Sequence, residues 1–317
     1  MINPMTCCGA AGSVRRISLV TVLVIMVLAA LVAACQSLRE RTVRPEQVNM
    51  LPAAGAEPAL EIDSSINMAA APSPDGTRIV FSAQGALWLM PVTGGEPVRI
   101  TEQPLQPAAP AWSPDGQTIA FQNFTPQGSY HIWTIAPDGG RATEVTGGPN
   151  DDRDPAWLPD GSGLVFSSDR SGDGQYKIWR VALGGSPVQV SKGPGAESKP
   201  AVSPDGTRLA YVDGANVMTM PLAGGVPTLV APGTAPAWTP GGSGLVYQNP
   251  GRQLVVGGVQ VTGREDIFPF PVRFLPDGRF LYTANGTIRV RDAAGANPED
   301  LDFRAELLAQ RPEFARR

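Results

Sequence analysis

Carboxylates are the side chains best spaced for chemistry. Asp151, Asp152, Arg153 and Asp154 form one acidic segment, and Asp169-Arg170-Ser171-Gly172-Asp173-Gly174 forms a second. Two carboxylates at the right separation act as acid and base at a glycosidic bond, and a cluster of oxygens holds a hard cation. The second segment matches the first half of a calcium loop: Asp169, Ser171 and Asp173 offer oxygens at positions one, three and five, and Gly174 sits at six. Position twelve is Arg180 rather than Glu, so Asp151, Asp152 or Asp154 would have to supply the missing ligand. The alternative is a solvated hairpin whose Asp and Gly simply make the turn. No cofactor is the expectation, with calcium as the one alternative.

Other reactive groups are scarce. His131 is the only histidine, which removes any site built on two or three His ligands and with it the usual zinc hydrolase. No G-x-S-x-G elbow offers it a nucleophile, and neither a phosphate-cradling G-x-x-x-x-G-K-[ST] nor a dinucleotide G-x-G-x-x-G precedes a helix. Lys and Arg number 25 against 29 Asp and Glu, a balance that argues against a nucleic-acid partner.

The amino terminus reads as an address. Arg15 and Arg16 precede the uncharged apolar run Ile17 to Ala34, which ends Leu31-Val32-Ala33-Ala34-Cys35. A positive start, an apolar stretch and small residues at a cleavage point make an export signal. The ending resembles a bacterial lipobox, which implies cleavage after Ala34 and a lipid on Cys35. An uncleaved membrane helix is the alternative reading, and both tether the remainder outside the cytoplasmic membrane. Cys7 and Cys8 would leave with the signal, so no disulfide framework is expected. Residues 35–60 read as a flexible tether, 61–310 as the folded domain and 311–317 as a tail.

The elements that must position the acidic groups come from a repeat. Ser73-Pro74-Asp75-Gly76 recurs with variations at Ser113, Leu158, Ser203, Thr239 and Leu275, and the six prolines are spaced by 40, 45, 45, 36 and 36 residues. Proline presets the second position of a tight turn, Asp accepts following N–H groups and Gly takes the left-handed conformation, so each copy is a hairpin corner. Copy five carries Gly241 in place of Asp and is expected to be the loosest. Short β-rich runs end in Phe81, Phe121, Phe166, Tyr211, Tyr247 and Tyr282, and Trp112, Trp157 and Trp238 stand before their corners. A third run holds Trp88, Trp133 or Trp179, followed by paired glycines and a fourth strand. The tryptophans are expected to fill the core between sheets.

Four strands in about 40 residues, six times over, predict an all-β, six-bladed β-propeller. Much of the count of 36 Gly and 32 Pro is spent on its corners. Closure is expected from residues 58–64 as outer strand of the last blade or from Leu301 to Leu307. Loops between second and third strands, and those between blades, should share one face opposite the corners. That rim gathers Asp151, Asp152, Arg153, Asp154, Asp169, Arg170, Asp173, Glu197, Lys199, Asp213, Arg264, Glu265 and Asp266 as candidate binding residues.

The repeat of corner, aromatic strand, Ile-Trp and Gly-Gly resembles the WD40-like repeats of the TolB family of periplasmic propellers over residues 65–308. The resemblance does not extend to the α/β domain that precedes the propeller in TolB, since only a short tether is expected ahead of the repeats here. Ile66-Asn67-Met68, Asp266 to Phe270 and Leu281 to Gly286 are similar to the propeller that precedes a metal-dependent amidohydrolase barrel in some bacterial secreted proteins. That resemblance implies an accessory role to a separately encoded barrel, whose His-x-His motif is absent here. The expected function is a membrane-tethered, extracytoplasmic, non-catalytic binding module. Its partner would be a protein or small ligand at the rim or channel. A carboxylate hydrolase or lyase and a TolB-like envelope-maintenance protein are the alternatives.

Overall fold

The computed structural model describes residues 59–65, 68–102 and 104–308. The export signal, Cys35, the tail and all of the expected tether except Ala59 and Leu60 lie outside the described residues. Six antiparallel four-stranded sheets follow one another in chain order, with no helix among the described residues. Blade 1 runs from Ala70 to Arg99, blade 2 from Pro107 to Glu144, blade 3 from Asp152 to Gln189, blade 4 from Glu197 to Pro232, blade 5 from Thr234 to Gln260 and blade 6 from Arg273 to Leu301. The chain is a six-bladed β-propeller.

Sequence dictates which strand goes where. Second strands such as Gly163–Ser168 and Phe280–Ala284 are buried at every position, because they lie mid-sheet with neighbouring blades on both faces. Their run of apolar residues without alternation records that burial. Fourth strands are outermost, and in blades 1, 3 and 5 they shrink to two residues, as at Val98–Arg99 and Val188–Gln189, which leaves little free edge there for unwanted pairing. The apolar core is divided into six clusters, one at each joint between adjacent blades. Burial of each large side chain in them, Phe81, Phe121 and Phe166 included, contributes about 1.5–3 kcal/mol.

Each corner closes with the N–H of its glycine on the carbonyl three residues back, at 2.9 Å for Gly76 and Ser73. Asp75 Oδ1 accepts the Ser73 hydroxyl at 2.5 Å and the Thr77 N–H at 3.0 Å, while Ser73 Oγ accepts the Arg78 N–H at 2.9 Å. Gly76 has φ of 70°, and a Cβ there would meet Pro276 Cδ of the blade 6 corner at 2.9 Å, so only glycine lets these corners touch. Tryptophan locks other joints: the indole N–H groups of Trp112, Trp157 and Trp238 donate to Ala71, Ala111 and Ala201 carbonyls of the preceding blades at 3.0–3.1 Å. The blade 5 corner lacks Asp and its bonds, and keeps only the counterpart of the Ser73–Arg78 contact, with Thr239 Oγ1 accepting the Gly244 N–H at 3.2 Å.

Ring closure differs from expectation. Blade 6 completes itself with Glu299–Leu301. Ala59–Ile62 pairs instead with Ala305–Leu308 as a separate antiparallel ladder, so the first two of its residues are strand rather than tether. Phe303 explains the preference: its ring packs tilted against Phe81 of blade 1 with centroids 4.8 Å apart, drawing the chain past blade 6 into the joint.

Candidate functional site

The acidic segments do meet on one rim, where they satisfy each other. Asp151 accepts the Tyr130 N–H at 2.8 Å, the Tyr176 hydroxyl at 2.6 Å and the Arg153 guanidinium at 2.6 Å. Its own N–H donates to Asp169 Oδ1 at 2.9 Å. Burial alone would raise Asp151, but the bonds from Arg153 and Tyr176 outweigh it and hold the carboxyl below its ordinary value. Burial and Asp151 together push the Tyr176 phenol up. Asp152 is fully buried, and Arg170 spans both of its oxygens at 2.6 Å while lying over Phe166 and Trp179. Asp151 thereby ties blade 2 to blade 3, and the Asp152–Arg170 pair braces blade 3 internally.

The remaining rim candidates fall into separate clusters. Glu197, fully buried, accepts the Ser191 hydroxyl and the Gly193 N–H, and burial pushes its carboxyl up. Asp213 closes the neighbouring hairpin opposite Asn216. Glu265 accepts the Tyr282 hydroxyl at 2.6 Å and pairs with Arg289 at 3.1 Å and with Arg291; burial and Glu265 push Tyr282 up to about 12. Asp266 meets Arg252 at 3.2 Å, and Arg264 is exposed. Asp173 Oδ1 takes the Ser171 hydroxyl at 2.6 Å and the Gln175 N–H at 3.0 Å, a turn-forming arrangement. Among the described residues no group of three or more His, Cys, Asp or Glu side chains is placed to hold a metal ion. His131 has both ring nitrogens engaged, Nδ1 2.5 Å from Glu144 and Nε2 3.0 Å from the Gly148 carbonyl.

Asp154 and Lys199 depart from the rim altogether. Both lie in the central channel, because the inner strand bulges just before its proline. Ala109, Asp154, Lys199 and Ala235 each precede a proline and each has φ near 50°, a conformation that a pre-proline residue with a side chain rarely adopts. Strain repeated at four equivalent places is built into the fold and aims these side chains inward. Asp154 Oδ2 accepts the Ser167 hydroxyl at 2.8 Å and the Lys199 N–H at 3.2 Å, and Lys199 Nζ donates to Thr234 Oγ1 at 3.1 Å. Burial lowers the Lys199 ammonium, with Asp154 opposing.

Below these bulges the channel widens on the corner face into a funnel of about 480 Å³. Its wall is made by Trp112, Trp157, Trp238 and Phe274 with corner prolines including Pro74, Pro114 and Pro276. Its floor is a ring of residues three places before each corner proline: Ala71, Ala111, Ala156, Ala201, Ala237 and, in blade 6, Arg273. Arg273 also lines the small chamber above, of about 20 Å³, together with Asp154 and Lys199. Sequence reasoning missed Arg273, although one arginine among five alanines in register is visible once the repeats are aligned.

A ring of six blades around a funnel mouth and a charged throat is a propeller suited to binding. The chain belongs to the TolB beta propeller domain family, whose model matches residues 40–268. Its fold is similar to that of a solved structure described as a putative TolB from Agrobacterium tumefaciens, 18% identical, covering 78% of this chain and 89% of that one with a TM-score of 0.52. TolB from Acinetobacter baumannii is also similar, at 21% identity, covering 79% of this chain and 57% of that one with a TM-score of 0.49. Comparison with curated proteins finds no match.

Proposed function

We propose that this protein is a non-catalytic binding module held outside the cytoplasmic membrane, and that a protein partner docks on its corner face. The observation that carries this is the contrast between the two faces. Rim carboxylates such as Asp151 and Asp152 are consumed by internal bonds, whereas the funnel presents apolar and aromatic wall from all six blades around an open mouth. Tryptophan-lined concavities with few polar groups are where hot spots of association concentrate. The export signal and the lipobox-like ending at Cys35 support the tethered, extracytoplasmic placement.

A photo-crosslinking residue at Pro114 on the funnel wall, compared with one at Gln175 on the rim, tests the choice of face in the native envelope. Crosslinks to one discrete partner from position 114 and none from 175 are expected. Crosslinks from 175 alone would overturn the assignment. The finer reading, resting on resemblance at Asp266 to Phe270 and Leu281 to Gly286, makes that partner a separately encoded amidohydrolase. Recovery of a His-rich barrel in the position 114 adduct is its test.

A further inference from the structure

Arg273 is the one funnel-floor residue whose chemistry is unspent. Among the described residues it makes no hydrogen bond and no ion pair, and its electrostatic surroundings reduce to loss of water and a distant attraction to Asp154. The throat it lines holds two cations, Arg273 and Lys199, against one carboxylate, Asp154. Asp154 is already committed to Ser167 and to the Lys199 backbone, and Lys199 Nζ to Thr234. One positive charge is left over where burial depresses both cations below their ordinary values. A guanidinium in that condition lowers its free energy by taking an anion, and its planar fork matches a carboxylate in particular.

We propose that the funnel floor is a carboxylate receptor, in which Arg273 holds the carboxylate of a ligand whose apolar body lies against the tryptophans and prolines of the wall. This rests on the funnel being the binding face. Geometry sets the charge and the size. The single uncompensated cation fits a monoanion, and Asp154 just beyond it repels a second negative charge. The chamber of about 20 Å³ has room for a water-sized group only, so the ligand enters from the funnel and stops at Arg273. The carboxylate belongs either to a free aryl- or alkyl-carboxylic acid or to the end of a peptide chain.

The test uses the full chain and four probes: 3-phenylpropionate, its amide, and acetyl-Ala-Pro-Phe with a free or an amidated carboxyl terminus. Binding is read by calorimetry and by tryptophan fluorescence. At least one acid should bind about tenfold or more tightly than its amide. Preference confined to phenylpropionate assigns the site to free acids, and preference by the peptide assigns it to chain ends. Arg273→Ala, which installs the residue that the other five blades carry, should bring acid binding down to the amide level and leave the amide unchanged. Arg273→Lys should fall between. Equal affinity of acid and amide, or undiminished acid binding by Arg273→Ala, overturns the proposal. Should Arg273→Ala fail to fold, the ratio measured on the unaltered chain decides alone. Corner-face crosslinks that persist without any acid preference would sink the receptor and leave the docking face standing. Acid preference without such crosslinks would do the reverse.

Discussion

At the scale of single residues, the corner aspartates link sequence to pH response. Hydrogen bonds from Ser73 and Thr77 hold Asp75 at about 2, against an ordinary 3.8, and bonds from Ser203 and Thr207 hold Asp205 at about 2. Asp115, Asp160 and Asp277 are lowered for the same reason. The unfolded chain therefore binds more protons than the folded one between about pH 4 and 2. The stabilisation is complete above that window and is lost as pH falls through it. Urea midpoints followed from pH 5 to pH 2 should drop, and the drop should shrink in Asp75→Asn/Asp205→Asn. A drop of equal size in that variant would place the acid sensitivity elsewhere. The buried Glu197, whose carboxyl is raised, acts with the opposite sign and is common to both proteins. The turn chemistry was legible in the tetrapeptide because it is local. The fate of Asp151 and Asp152 was not, because their partners Tyr176 and Arg170 lie in the loop between the second and third strands of blade 3 and only the folded register brings them close.

At the scale of elements, the repeat fixes blade number and strand order but hides the inner-strand bulge. An x-Pro-Ala step before the corner recurs at Ala109, Asp154, Lys199 and Ala235, and it reads as ordinary strand until the register shift shows two residues leaving the ladder. That shift moved Asp154 and Lys199 from rim to channel. The fifth corner offers a direct check on the role of the turn aspartate. Gly241 lies outside the left-handed region and a Cβ there would meet nothing within 4 Å, so Gly241→Asp can install the missing acceptor without strain. It should stabilise the protein by about 0.5–1 kcal/mol, from both the restored bonds and the stiffer unfolded chain. A lower denaturant midpoint would mean that Thr239 and Gly244 already satisfy this corner in a way Asp disrupts.

At the scale of the whole molecule, the ring depends on a joint that chain-local reasoning could not place. Either terminal segment had the composition to close it, and pairing the two with each other emerges only once Phe303 is seen against Phe81. The largest of the six core clusters spans this joint and includes Ile62, Phe303 and Ala305. Truncation after Arg304 removes the partner of Ala59–Ile62 and should lower the melting temperature by about 5–10 °C while broadening the transition, as cooperativity between blades 1 and 6 weakens. An unchanged melting curve would show that the corner contact of Gly76 with Pro276 and the packing of Phe303 against Phe81 close the ring unaided.

The five alanines and one arginine of the funnel floor also settle a question of degeneracy. Six identical floor residues would offer the headgroup of an asymmetric guest six nearly equivalent settings, a multiplicity of about 1 kcal/mol of orientational entropy that would leave its direction to the unlike wall residues alone. Arg273 removes the degeneracy. A single side chain gives a pseudo-symmetric ring a heading, so whatever enters is held at one clock position and presents one constant outline to the world above the funnel.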